Sequence, residues 1–166
     1  MTEGTAVSRA TVATPSATVA LAWRLAPLWV GLGSLAIGAI ALGSRSLTSI
    51  EATSLAAADR PFRTLISAIV HDEPARSGHL LVLHGAAAVS SDERAIRAPS
   101  AIAVALAAAL IVMLGTMLLG RVGGVVAGIA LAANAGVVVA SREARPYALG
   151  ILGIVVVSVS CLPMRK

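Results

Sequence analysis

Between Pro99 and Ala140 the chain runs for 42 residues with a single charge, Arg121, near the middle. A membrane hydrocarbon core is crossed by roughly 20 mostly apolar residues in helical form. The stretch is therefore too long for one crossing and the right length for two, over about 99–120 and 122–140. The connection around Arg121 is so short that these two helices must be antiparallel neighbours. Pro99 suits the first helical position, whose N–H has no intrahelical partner to lose. Composition agrees, with 57% hydrophobic and 13% charged residues against about 25% charged in soluble domains. Only 2% of residues are aromatic, so Ala, Val, Leu, Ile and Gly make up the apolar mass and let helix backbones approach closely.

Two more stretches reach spanning length. Leu25 to Gly43 is preceded by Arg24, which can snorkel, and carries Trp29 near one end while Trp23 lies just outside it. Ala148 to Pro163 is slightly short and is followed by a tail, 164–166. The expectation is an all-α integral membrane protein with four transmembrane helices, placed in the cell membrane. A cleavable signal peptide is the alternative for the first span, since AIALGS offers small residues near its end. Its apolar core exceeds the usual 7–15 residues of a signal. The leader, 1–24, is rich in Thr, Ser and Ala and is expected to be disordered on the cytoplasmic side. The thirteen basic residues give a net charge of +5 but are scattered without a cluster or aromatic interleaving, which argues against nucleic acid as a partner. One cysteine, Cys161, excludes an intrachain disulfide.

Six of the eight acidic residues and all three histidines fall in the loop 44–98. In PFRTLISAIV the apolar residues Phe62, Leu65, Ile66, Ile69 and Val70 share one helical face, predicting a helix that lies along the bilayer surface. HLLVLHGAAAV is too short to span and predicts an interfacial or re-entrant segment. Ser90 and Glu93 have the spacing of a capping box. His71, Asp72, Glu73, His79 and His84 match no zinc spacing, so no metal and no other cofactor is expected.

In RSLTSIEATS after the first span, RAPSA at the mouth of the second and EARPYAL between the third and fourth, the chain resembles the N-terminal part of GT-C-type membrane glycosyltransferases. More narrowly, it is similar to bacterial relatives of protein mannosyltransferases that use polyprenyl-phosphate sugars. The resemblance implies a transferase moving a sugar such as mannose from a polyprenyl-phosphate donor to an extracytoplasmic acceptor, with the loop 44–98 outside. It implies Glu51 and Asp72 as the catalytic carboxylates. Ser46, Leu47, Glu51 and Ala52 match the first-loop pattern, while Thr48 stands where the family has tryptophan and Ile50 where it has aspartate. Family members are longer, so a fragment, or a partner supplying the remaining spans, is also implied.

The chemistry of these residues can be read beside the resemblance. A phosphate leaves as a stabilised anion, so transfer needs a base for the acceptor hydroxyl and cations for the phosphate. Arg142 and Arg145 are expected to hold that phosphate at headgroup depth, joined by Arg97 of RAPSA, with Tyr147 against the lipid. Alternatively, the two hinge arginines anchor helix ends in headgroups, and Glu51 is a solvated loop residue. A non-enzymatic four-span partner or assembly subunit is the competing function. The implied orientation leaves Arg9, Arg24, Arg121, Arg165 and Lys166 inside and eight arginines outside, against the positive-inside rule.

Overall fold

A computed structural model describes residues 17–40, 49–71, 77–90 and 92–161. Seven helices, with no strand among the described residues, follow in order: α1 (Ala17–Ala39), α2 (Ser49–Ala58), α3 (Phe62–His71), α4 (Ser77–Val89), α5 (Glu93–Ala133), α6 (Ala135–Arg142) and α7 (Tyr147–Ser160). By length and composition α1 and α5 can each cross a membrane, and α6 with α7 would supply a third crossing if that pair, bent by 118°, were one span.

The helix α5 is two arms. Gly120 has φ 81°, a left-handed conformation in which a side chain is strained, and the chain reverses there. A Cβ placed on Gly115 would lie 2.7 Å from Gly124 Cα, and one on Gly128 would lie 3.2 Å from the carbonyl oxygen of Ala108. Along the chain the contacts run in opposite order on the two sides of Gly120, Gly115 with Gly124 and Ala108 with Gly128, which is the signature of an antiparallel hairpin. The tight connection expected near Arg121 therefore turns one residue earlier, on the glycine.

Asn134 interrupts the second arm with an extended backbone, and its side-chain oxygen accepts N–H bonds from Gly136 (3.0 Å) and Val137 (3.3 Å), capping α6. α1 packs along both arms. Gly31 faces Ala105 and Ala109, and Gly38 faces Ala101, an antiparallel order, while Val30 lies by Gly128 and Gly38 by Ser141, a parallel one. The C-terminal ends of α1 and α6 and the N-terminal end of α5 thus share one end of the bundle. α7 closes over α5 through Ala103, Val104, Val137 and Ala148.

Several boundaries differ from expectation. α1 begins at Ala17 rather than near Leu25, so 17–24 of the expected leader is helical, and Pro27 is accommodated inside it. The remaining leader, the end of the first expected span at 41–43 and the tail lie outside the described residues. Ser90 and Glu93 form no capping box: Glu93 is the first helical residue, too early to reach back, and the Ser90 hydroxyl accepts the Asp92 N–H instead (3.1 Å).

α3 forms where its apolar spacing placed it, but its apolar face divides. Leu65 and Ile69 are buried against Leu80 of α4, with Ala57 of α2 beside them, while Phe62, Ile66 and Val70 form an exposed ridge. HLLVLHGAAAV belongs to α4, roughly 20 Å long at 1.5 Å per residue and buried at His79, Leu80 and Leu83.

Candidate functional site

The shared end of the bundle carries a buried ion pair. Glu51 lies in the first turn of α2 and is 1% exposed. Its Oε1 accepts from Arg97 Nε at 3.1 Å and its Oε2 from Arg97 Nη2 at 3.0 Å, a two-pronged contact between loop and α5. Oε1 also accepts the backbone N–H of Ala144 at 2.9 Å. Ala144 belongs to the hinge 143–146 between α6 and α7. One carboxylate therefore ties together the first loop, the mouth of α5 and the hinge.

Apolar side chains cover this tie. Ala58, Leu83, Ile96 and Ala144 form a buried cluster with Leu55 against it. Charges removed from water in this way are tolerated when they are paired and their remaining positions are hydrogen-bonded. His84 fixes the covering helices, with Nδ1 2.7 Å from the carbonyl oxygen of Ala58 and its ring 5.9 Å from that of Phe62.

The hinge arginines lie outward of the tie. Arg142 Nη2 donates to the carbonyl of Ile37 at 3.1 Å, in the last turn of α1, where unsatisfied carbonyls favour a cation. Arg142 Nε is buried with no hydrogen-bond partner among the described residues. Arg145 Nε stands 3.0 Å from Glu143 Oε2, both side chains about a quarter exposed; the pair is ionic by distance but not aligned as a hydrogen bond. Glu51, joined electrostatically by Glu93 and Glu143, holds the Arg97 guanidinium firmly charged. Tyr147 opens α7 and is exposed.

Of the residues nominated from sequence, Glu51, Arg97, Arg142 and Arg145 are gathered at one end, with Tyr147 just beyond. Asp72 lies outside the described residues. Two nominations change in character. Glu51 was expected to take a proton, yet its oxygens already accept three N–H bonds and its surface is closed to an acceptor hydroxyl. Arg97 was expected to hold phosphate, yet two of its N–H groups point at Glu51. Sequence reasoning missed this partnership and the Ala144 amide. The available signal was that an arginine entering a span needs a countercharge, and Glu51 is the acid nearest the end of the preceding span. A cavity of about 10 Å³ between His79, Leu83, Pro99 and Leu149 adjoins the tie, too small for a sugar. Among the described residues no three of His, Cys, Asp and Glu gather as metal ligands would.

Compared with protein-family models, curated proteins and solved structures, the chain matches none.

Proposed function

We propose that the chain is a four-span, glycosyltransferase-like membrane module whose hinge holds the phosphate of a polyprenyl-phosphate sugar. The observation that carries this reading is convergence. The three segments bearing the resemblance, with Glu51, Arg97 and Ala144, meet at one carboxylate although they are far apart in sequence. The reversal at Gly120 and the bend between α6 and α7 are what four crossings require.

Within this reading Arg142 and Arg145 contact the phosphate, because Arg142 keeps a buried donor without an acceptor and Arg145 is only loosely held by Glu143. Tyr147 flanks the lipid. Glu51 and Arg97 are positioning residues that fix the hinge backbone. The acceptor hydroxyl attacks the anomeric carbon, the carbon–oxygen bond to phosphate breaks, and the phosphate leaves with the electron pair. The hydroxyl proton passes to a carboxylate, which this reading assigns to Asp72 rather than Glu51.

A charge-assisted contact to phosphate contributes about 1.5–3 kcal/mol, roughly 10- to 150-fold in affinity. Arg142→Gln and Arg145→Gln are each expected to weaken binding of a polyprenyl-phosphate sugar to the protein in nanodiscs by at least about tenfold, read by native mass spectrometry. Unchanged binding in both variants would sink the proposal. Turnover of the bound donor with loss in Asp72→Asn separates an enzyme from the second reading, a non-enzymatic partner subunit. That second reading is favoured by one observation, the closure of Glu51 to solvent.

Orientation has its own test. Ser77 begins α4, which packs at the tie end, and Arg121 lies at the far end of the hairpin. In a Cys161→Ala background, Ser77→Cys is expected to react with an impermeant thiol reagent added outside the cell and Arg121→Cys to be protected. The reverse pattern would place the hinge on the cytoplasmic side and exclude an extracytoplasmic transferase.

A further inference from the structure

A groove of about 310 Å³ runs between α1 and the second arm of α5, lined among others by Trp29, Gly33, Ser34, Ile37, Ile129 and Ala132. Its volume is at the small end of ligand sites, enough for part of one hydrocarbon chain. From Trp29 to Ile37 it extends along α1 for roughly 12 Å at 1.5 Å per residue. Its residues are almost wholly apolar, and Trp29 and Ile129 are exposed. The upper end is different: Ile37, which lines the groove, is the residue whose carbonyl accepts the Arg142 Nη2 bond. The Arg142 guanidinium, whose Nε has no acceptor among the described residues, is therefore bonded to the backbone of the α1 residue at that end of the groove.

We propose that this groove seats the hydrocarbon chain of a single-chain lipid phosphate, with the phosphate on Arg142 and the chain running down α1 toward Trp29. The proposal rests on the reading of the hinge as a phosphate site and adds where the lipid lies. Charge and polarity choose the occupant. A partner helix would bring a second apolar surface but nothing for Arg142, and a free phosphate would leave the groove unfilled. A chain with a terminal phosphate satisfies both ends. A guanidinium held by the α1 carbonyl is preoriented for it, so little ordering is needed on binding.

Gly33 makes the groove testable without damaging the fold. A Cβ placed there meets nothing within 4 Å, and leucine is the better helix former, so Gly33→Leu fills the groove while leaving the packing of α1 intact. Gly153 in α7 is equally open and lies outside the groove, which makes Gly153→Leu the control.

The probe is farnesyl phosphate carrying a diazirine at the chain end, photolysed with the full chain in phosphatidylcholine nanodiscs. Labelling is expected on Trp29 or its neighbours on α1 and on the second arm of α5. Gly33→Leu and Arg142→Gln are each expected to reduce it about tenfold, and Gly153→Leu to leave it unchanged. Labelling that persists in Gly33→Leu but is lost in Arg142→Gln and Arg145→Gln overturns the groove and keeps the phosphate hinge. Labelling unaffected by all of these variants overturns both. Equal loss in Gly153→Leu, or equal competition by phosphatidylglycerol, overturns the groove in favour of ordinary bilayer lipid.

Discussion

Arg97→Met is expected to cost the folded protein about 3–5 kcal/mol, the range for removing one partner of a buried ion pair. The substitution leaves the Glu51 carboxylate, 1% exposed, without its charged partner, although the Ala144 amide still donates to it. An uncompensated buried charge is the expensive outcome, because the methionine fills the space and gives nothing to the oxygens. The double substitution Glu51→Leu with Arg97→Met removes both charges and should recover most of the loss. Unfolding of the purified protein in detergent, followed by helical circular dichroism, measures both. A loss below about 1 kcal/mol in Arg97→Met, the level of a surface pair, would mean that water reaches Glu51.

This experiment also separates positioning from catalysis. Glu51→Gln keeps an oxygen for the Ala144 N–H but weakens the fork to Arg97. If Glu51 holds the hinge, this variant is expected to lose donor binding and stability together. A transferring enzyme that lost turnover at full stability and full donor binding would instead restore Glu51 as the proton acceptor.

Helix positions were legible because their causes are local. The apolar spacing of Phe62 to Val70 needs a helix whatever surrounds it, and the single charge at Arg121 announces a reversal. The split of α3 into a buried pair, Leu65 and Ile69, and an exposed ridge was not legible, because α4 supplies the other side and its approach is tertiary. The turn at Gly120 rather than Arg121 follows from a backbone conformation that glycine adopts without strain, a signal the sequence carried in the same dipeptide. Ser90 shows the opposite failure. A capping box is a spacing rule, and spacing alone does not say which residue begins the helix.

At the hinge, sequence identified which side chains gather and misjudged what they do to one another. Glu51, Arg97, Arg142 and Arg145 were singled out as groups that would face a ligand. Charged residues at the ends of apolar helices have a prior demand, which is to find partners as water is withdrawn. Glu51 and Arg97 meet that demand completely, Arg145 partly through Glu143, and Arg142 through a helix carbonyl with one donor left over. The residues whose partners are weakest, Arg142 and Arg145, are the ones to which the proposed phosphate contact is assigned, and that order is set by three-dimensional pairing.

The hairpin of α5 determines whether any of this assembles, and Gly124→Val is expected to break it. A Cβ on Gly124 would stand 2.5 Å from the Thr116 backbone nitrogen and 2.6 Å from the Val112 carbonyl oxygen. Both are backbone atoms of the opposing arm, so no side-chain rotation relieves the clash and the arms must separate. Overpacking costs about 1–3 kcal/mol where side chains can yield, and a backbone contact should reach or exceed the upper end of that range. Separation of the arms also withdraws the α6 end from α1, because α6 continues the second arm. The Arg142 bond to Ile37 spans that interface, and the Ala144 bond ties the adjoining hinge to Glu51 of α2. Gly124→Val is therefore expected to lower the unfolding midpoint and abolish lipid-phosphate binding together, although Gly124 lies far from the hinge in sequence. Gly153→Ala, at an open position of α7, is the control and should lower neither. A stable Gly124→Val variant with full binding would show that the two arms do not pack through glycine, and the route from the hairpin to the hinge would have to be redrawn.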